Sequence, residues 1–251
     1  MGADIKLKQT INGETNDLEF NKIQGSHDVR MHRRTRKYYK THPGLLITLI
    51  DKLDAPGVYS DTDLSHYHDS IVIPDKVPHK GTTYTVRYLD DELMKRAINL
   101  YEIDIPGTVR EIPQFAFCNC YRLTKAVLHE GTELIDYMAF VGCYDLREIK
   151  LPNSVKTVEK AAFYCCKNLT RVTLGSGLKS LGRQAFDDCR FIETVTCLAQ
   201  TPPDAKVADD TRYGVFDFNA FKNAVLKVPR ASLEKYKNHQ FWKQFRKIEA
   251  I

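Results

Sequence analysis

The stretch Ala116-Phe117-Cys118-Asn119-Cys120-Tyr121-Arg122-Leu123 occurs four times in this chain in related form. Each copy keeps an Ala-Phe pair, a Cys three residues after the Phe, and a Leu or Ile three residues after the Cys. The other copies begin at Ala139, Ala162 and Ala185, each 23 residues after the copy before it. A fixed period of this length predicts a solenoid, in which equivalent coils stack and share a continuous apolar core.

Each copy is followed by residues that predict a short strand. Ala126 and Leu128 stand two positions apart after the first copy, and the later copies carry apolar residues or Cys at the same places. This alternation is typical of a strand with one buried face. Pro106 and Pro152 directly follow two of these strands, where a residue without an amide donor ends the pairing.

A second apolar pair, such as Val155/Val158, follows the strand, and the next Ala-Phe then enters a compact turn or short helical segment. The whole pattern predicts a leucine-rich-repeat solenoid, β-rich and of the α/β class. In this interpretation, 23-residue repeats form a curved parallel sheet, and a cap covers the core at the N-terminal and C-terminal ends.

Written out, one repeat reads Ile103-Asp104-Ile105-Pro106-Gly107-Thr108-Val109, then Ile112, Ala116-Phe117, Cys120 and Leu123. This pattern resembles the BspA-like leucine-rich repeats of bacterial cell-surface proteins, strongly over residues 70–200. The stretch from Leu226 to Phe245 is similar to the closing unit of that family, whereas the first 60 or so residues are not covered. The resemblance implies a surface-exposed or secreted recognition and adhesion module, with no catalysis and no cofactor.

The chain divides into four segments around the repeats. Residues 1–60 form a basic N-terminal segment or cap, and residues 61–100 a cap hairpin and a degenerate repeat. Residues 101–200 hold the regular repeats, and residues 201–251 the closing unit. Counting back 23 residues from Phe117 places Met94 in the Phe column of the degenerate repeat.

The period fails after residue 200, because counting on from Ala185-Phe186 reaches Ala208-Asp209. The polar run that follows predicts an inserted loop, after which Ala220-Phe221 is the last copy of the pair. Ser232 is a candidate N-cap for a helix over Leu233–Asn238. Trp242 and Phe245, three residues apart, would lie on one helical face and close the end of the core.

Four of the seven cysteines share one column of the repeat, namely Cys120, Cys143, Cys166 and Cys189. Equivalent side chains of stacked strands lie about 5 Å apart, which on distance alone would allow disulfide bridges. Parallel side-chain directions oppose bridging, and buried free Cys packs as a small hydrophobe. We therefore expect core thiols. No cysteine pair has zinc-ligand spacing, and His66 and His68 lack further ligands, so we expect no metal site.

The sequence contains no nucleophile elbow, no Gly-rich phosphate loop and no His-Glu-x-x-His motif, which argues against an enzyme. A solenoid also spreads equivalent positions along a surface, whereas catalytic groups must converge. The strand residues between the buried ones point outward and form two candidate binding columns. The first column consists of Glu102, Lys125, Glu148, Arg171 and Thr194. The second column consists of Asp104, Val127, Lys150, Thr173 and Thr196.

Both columns change in residue type from coil to coil, which suits contact with a macromolecular partner, in the first place a protein. The alternative is that these residues only keep the sheet surface soluble. A separate group of basic residues precedes the repeats and consists of Arg30, Arg33, Arg34, Arg36, Lys37 and Lys40. Such clusters bind phosphate backbones, so the alternative function is an intracellular scaffold or nucleic-acid-associated protein. A net charge of +5 is too small an excess to predict nucleic-acid binding.

No apolar run reaches the roughly 18 residues of a membrane helix. The sequence begins Met1-Gly2-Ala3-Asp4, without the basic and then apolar residues of a secretory leader. Because the resemblance implies export, we expect the natural protein to carry a leader that this chain has lost. A cytoplasmic location is the alternative.

Overall fold

The structure is a computed structural model that describes residues 5–11, 14–22, 28–31, 69–79, 82–206 and 214–251, with side chains over 70–78, 83–206 and 214–251. In chain order the strands are β1 (Ile5–Ile11), β2 (Glu14–Lys22), β3 (Asp28–Met31), β4 (Asp69–Val72), β5 (Lys76–His79), β6 (Thr82–Leu89), β7 (Leu100–Ile105), β8 (Glu111–Ile112), β9 (Lys125–Leu128), β10 (Leu134–Ile135), β11 (Glu148–Lys150), β12 (Thr157–Val158), β13 (Arg171–Leu174), β14 (Ser180–Leu181), β15 (Thr194–Cys197), β16 (Asp204–Ala205), β17 (Val225–Val228) and β18 (Lys247–Ala250). The helices are α1 (Phe218–Asn223) and α2 (Leu233–Asn238), and 3₁₀ turns cover Arg230–Ser232 and Trp242–Gln244.

One side of every coil, called here the front, is built from parallel strands. They form two sheets, in the orders β4-β7-β9 and β11-β13-β15-β17-β18. Within the regular repeats the paired residues are 23 apart in sequence, as with Glu102 beside Lys125 and Glu148 beside Arg171. Between β9 and β11 the ladder of described strands is interrupted.

The opposite side of the coils, called here the back, is a second parallel sheet of two-residue strands, in the order β16-β14-β12-β10-β8. The sequence indicated only an apolar pair at these places. One member of each pair, such as Ile112 or Val158, lies in the strand and is fully buried. Between the two sheets the Ala-Phe segments are compact turns, and residues 101–200 contain no helix.

The core consists of columns of identical residues, as the repeat predicted. The rings of Phe117, Phe140, Phe163 and Phe186 stack at centroid distances of 5.0, 5.1 and 5.0 Å. The four column thiols lie beside them, fully buried, and each donates to a carbonyl 26 residues earlier, for example Cys143 Sγ to Phe117 O at 3.3 Å. Uniform burial along each column explains why these residue types repeat.

The last copy of the Ala-Phe pair was assigned wrongly from the sequence. Phe216, not Phe221, continues the column, since its ring stacks on Phe186 at 5.2 Å and 10°. Phe186 N also donates to Val215 O, the bond that Phe163 N makes to Ala185 O one coil earlier. Val215-Phe216 therefore occupies the position of Ala-Phe, and Phe221 contacts Phe216 edge-on at 6.1 Å. Seven residues more than one repeat separate the two rings, so simple counting misses the match.

Aromatic side chains gather at the C-terminal end of the Phe column. Trp242 and Phe245 are buried, and both rings contact Phe216. The Trp242 indole N–H donates to Pro203 O at 2.9 Å, so its polar atom is satisfied on burial. α2 covers the predicted residues, but the hydroxyl of Ser232 does not cap it and donates to Gln200 O at 2.8 Å. The N-cap bond predicted for Ser232 is therefore wrong.

A third sheet stands at the N-terminal side, in the order β1-β2-β3-β6-β5. β5 and β6 form the predicted antiparallel hairpin, and β3 pairs with β6 in parallel. Met94 is buried and its N–H donates to Ala116 O at 2.6 Å, so it takes the Phe position of the degenerate repeat. The boundaries drawn at residues 60, 100 and 200 stay predictions.

Candidate functional site

The structure places the two predicted binding columns side by side on the front. Glu102, Lys125, Glu148 and Arg171 lie on neighbouring strands with their side chains partly or fully exposed. Val127, Lys150, Thr173 and Thr196 form the second column, and its first member, Asp104, pairs with Val127. The interruption between β9 and β11 divides both columns into two parts.

Charges in the first column pair with their neighbours along the stack. Lys125 Nζ lies 3.3 Å from Glu102 Oε2, and Arg171 donates to Glu148 Oε2 through Nε and Nη2. Lys150 of the second column reaches Glu148 from its own strand at 3.1 Å. Hydrogen bonds from Lys150 and then Arg171 lower the pKa of Glu148. The columns thus present oriented but largely compensated charge.

The second column carries less charge and more small side chains. Asp104 pairs with His129 Nε2 at 2.8 Å. Thr173, Thr194 and Thr196 are half-buried and lie beside one another on β13 and β15. This part of the front is a flat, weakly polar surface between charged neighbours.

A second surface feature lies in the turns directly before the front strands, and the sequence analysis did not single it out. The rings of Tyr121 and Tyr144 stack at 4.9 Å, and Lys167 Nζ lies 4.5 Å from the centre of the Tyr144 ring. Arg122 Nη1 donates to the Tyr101 hydroxyl at 3.0 Å. The signal was present in the sequence, because Tyr121, Tyr144 and Lys167 are 23 residues apart.

The back carries its own compensated charges. Glu133 accepts from Arg110 on one side and Lys156 on the other, along one column of the repeat. These bonds, with that from Lys156 the largest effect, lower the pKa of Glu133. The back column is therefore an ion-pair ladder whose partners already satisfy each other.

All seven cysteines are free. Burial raises the pKa of each thiol of the predicted column well into the range where it stays protonated. Cys165 is only half-buried and donates to Asp188 Oδ2 at 3.2 Å. Burial first, and then Asp188, raises the pKa of Cys165 to about 11. These thiols are core residues rather than nucleophiles.

The predicted basic cluster lies almost entirely outside the described residues. Arg30 belongs to β3, where its backbone is paired with Tyr88 of β6. Arg33, Arg34, Arg36, Lys37 and Lys40 lie outside, as do His66 and His68. Among the described residues, no helix is long and apolar enough to cross a membrane.

Comparison with known proteins supports the repeat fold. The model of a family described as "BspA type Leucine rich repeat region" matches residues 84–201 in six copies. The curated proteins contain no significant match. A solved leucine rich repeat protein from T. pallidum (TpLRR) is 22% identical with a TM-score of 0.53, over 71% of this chain and 68% of that chain.

Two longer solved structures are also similar. A leucine rich cell surface protein from Faecalibacterium prausnitzii A2-165 is 18% identical with a TM-score of 0.55, over 98% of this chain and 51% of that chain. The pneumococcal vaccine antigen PcpA is 16% identical with a TM-score of 0.53, over 93% of this chain and 52% of that chain. Identities at this level show the fold, and the chain spans about half the length of these two proteins. Through its repeat region, this chain belongs to the BspA type of leucine-rich repeat proteins.

Proposed function

We propose that this chain is a non-enzymatic module for protein recognition and adhesion, placed on the cell surface or secreted. Its proposed binding surface is the front of the coils. The residues assigned to that surface are Glu102, Asp104, Lys125, Glu148, Lys150, Arg171, Thr173, Thr194 and Thr196. Its partner is a protein of another cell surface, of host or microbial origin.

One observation carries this proposal: the buried columns keep the same residue types, while the outward positions next to them change at every coil. Lys125, Glu148, Arg171 and Thr194 succeed one another along the first column, beside unbroken columns of Phe and Cys. Coils about 4.8 Å apart then present a different side chain at each step. Such a surface suits a partner that spans several coils.

The ion pairs on the front add order to this surface. Arg171 and Lys150 both bind Glu148, which limits the conformations of two long side chains before any partner arrives. Pre-ordered side chains lose less entropy on binding. Charges of this kind set orientation and association rate more than affinity.

Binding of the intact chain to arrayed surface and matrix proteins tests the proposal, with the double variant Lys150→Glu/Arg171→Glu as the probe of the front. We expect array signals that fall at least tenfold in this variant. The matched control is Lys156→Glu/Lys179→Glu, which makes the same charge change on the back and should bind like the original chain. No signal on any protein, or equal signals for both variants, contradicts the proposed surface.

The proposed location has a separate test in cells that make the natural protein. A membrane-impermeant biotin reagent should label the protein, or the protein should be recovered from the medium. Labelling only after the cells are lysed would place it in the cytoplasm and favour the intracellular alternative.

A further inference from the structure

We propose that the turns before the front strands form a docking strip for an acidic, apolar-containing segment of a protein partner. This inference rests on the proposed function and names the chemistry of the partner. The docking strip consists of Tyr121, Arg122, Tyr144, Lys167, Arg190 and Phe191.

The docking strip follows the repeat, so its members are held at fixed steps. Tyr121, Tyr144, Lys167 and Arg190 occupy equivalent positions of four successive coils. The two Tyr rings stack at 4.9 Å and 27°, and Lys167 Nζ covers the Tyr144 ring at 4.5 Å. Stacked coils therefore arrange two rings and then two cations in one row.

Each cation of the docking strip is held by a neighbour within the chain. Arg122 donates to the Tyr101 hydroxyl at 3.0 Å, with its guanidinium 5.9 Å from that ring. Arg190 Nε lies 2.6 Å from Asp188 Oδ1, and 66% of the Arg190 side chain remains exposed. Side chains that are oriented in advance and still accessible bind with a small loss of rotamer entropy. Arg also has further N–H donors available for a carboxylate.

The same turns expose apolar surface. Phe191 is 63% exposed and Tyr121 36% exposed, although nearly every other Phe of the regular repeats is buried. Tyr and Arg are enriched where interfaces bind most strongly, and charged pairs alone contribute little. An exposed Phe beside Arg190 offers an apolar contact next to a cation, which fits a segment that combines carboxylates with an apolar side chain.

The geometry favours a peptide over a nucleic acid or a polyanionic glycan. Bases bind single-strand readers by stacking on open aromatic faces. In the docking strip the Tyr144 ring has Tyr121 on one side and Lys167 nearby, so little of its face is free for a base or a sugar ring. What remains accessible is ring edges, a hydroxyl, three cations and Phe191. No member of the docking strip is acidic, whereas the two front columns contain three carboxylates.

Fluorescence anisotropy with the intact chain tests the inference. The probe is a fluorescein-labelled peptide of alternating Glu and Leu, and the reference is the same peptide with Gln in place of Glu. We expect the Glu peptide to bind at least tenfold more tightly than the Gln peptide, with an affinity that falls as salt rises. Equal binding of the two peptides would show that carboxylates are not recognised and would overturn the inference.

Variants locate the binding. Lys167→Glu/Phe191→Ser changes two exposed residues and should weaken binding of the Glu peptide at least tenfold. Lys179→Glu makes the same charge reversal on the back and should stay within twofold of the original chain. Lys167→Gln alone, which leaves no new charge, should weaken binding severalfold, and far-ultraviolet circular dichroism checks that each variant is folded. Unchanged binding in the two docking-strip variants would overturn the inference.

Competition separates the other anions. Heparin and single-stranded oligo(dT) should displace the Glu peptide only at much higher charge-equivalent concentrations. Displacement by either one at lower concentration than unlabelled Glu peptide would overturn the inference in favour of a glycan or nucleic acid. If arrayed proteins lose binding in Lys150→Glu/Arg171→Glu but not in the docking-strip variants, the inference fails while the proposed function stands.

Discussion

At the scale of single residues, the repeated Phe is the unit of stability. Phe163 is fully buried, and its ring stacks on Phe140 and Phe186 at 5.1 and 5.0 Å. Removing one ring from the middle of the column leaves a cavity that neither neighbour can fill, since both are fixed by their own stacking. The contrast with Phe191, which lies on the surface of the same repeat region, separates packing from residue type.

We therefore expect Phe163→Ala to lower the free energy of unfolding by about 3–5 kcal/mol, through lost burial and the cavity. Phe191→Ala is the matched control and should change it by less than about 0.5 kcal/mol, because its ring is largely in water. Urea unfolding followed by circular dichroism measures both. Equal losses in the two variants would contradict the packing account.

The half-buried thiol of Cys165 gives a residue-scale prediction that depends on pH. Its pKa is raised to about 11, by burial and then by the carboxylate of Asp188. The reactive thiolate is therefore scarce at pH 8 and increases with pH up to about 11. Alkylation of Cys165 by iodoacetamide in the folded chain should accelerate about tenfold per pH unit between pH 8 and 10.

Asp188→Asn removes the negative charge and should lower the pKa of Cys165, so that alkylation at pH 8 becomes faster. Asp145→Asn, in a neighbouring coil, is the control and should leave the rate unchanged. Peptide mass mapping identifies the alkylated residue. A slower reaction in Asp188→Asn would show that Asp188 acts on Cys165 in another way.

At the scale of elements, the turns between the two sheets depend on left-handed backbone positions. Two such positions recur in each coil, and most are occupied by residues other than Gly, such as Asn119 (φ 60°) and Cys165 (φ 63°). Between them the turns donate to the next coil, as with Phe117 N to Ala139 O at 2.7 Å. Coils are thus hydrogen-bonded along the turns as well as along both sheets, which satisfies the backbone of a segment without helix or strand.

Gly142 is the glycine of this column, and its φ of 73° alone does not require glycine. A Cβ at Gly142 would lie 2.4 Å from Asn119 Oδ1, so the close approach of the next coil is the stronger constraint. We expect Gly142→Ala to cost about 1–3 kcal/mol, from overpacking and backbone strain together. The measurement is urea unfolding.

The double variant Asn119→Ala/Gly142→Ala separates the two causes. It removes the contacting amide and should recover a large part of the loss, measured against Asn119→Ala alone. No recovery would assign the cost to the backbone conformation instead of the contact.

At the scale of the whole molecule, each coil contacts only its neighbours, so stability passes along the stack. The chain has one Trp, and Trp242 lies among aromatic rings around Phe216. Its fluorescence therefore reports on the C-terminal end, while circular dichroism reports on all coils. Phe216 connects the two, because it stacks on Phe186 and contacts Trp242.

We expect the two signals to change together in urea for the original chain. In Phe216→Ala the Trp transition should move to lower urea than the circular dichroism transition, since the end is uncoupled from the coils. Phe117→Ala, at the other end of the column, is the control and should not separate the transitions in that order. Coincident transitions in Phe216→Ala would show that the end and the coils are held together by other contacts.

Much of the fold follows from the sequence alone. A 23-residue spacing of Phe, Cys and Leu is a consequence of coil stacking, because every coil must present the same apolar groups to its neighbours. The same argument identified Met94 as a substitute for Phe and placed the candidate columns on the outward face of the strands. Columns of this kind can be counted directly, without knowledge of any distance.

Only the tertiary structure decided what lies beyond regular counting. The extra residues after the last regular coil hid Phe216, since a count cannot cross an insertion of unknown length. Ser232 bonds to Gln200, a contact set by chain packing rather than by local sequence. Which outward charges compensate one another, as Glu148 does with Arg171 and Lys150, depends on side-chain reach across coils. The sequence by itself determined the buried repeat because stacking imposes one environment on each column, whereas surface contacts depend on distances that appear only when the coils are assembled.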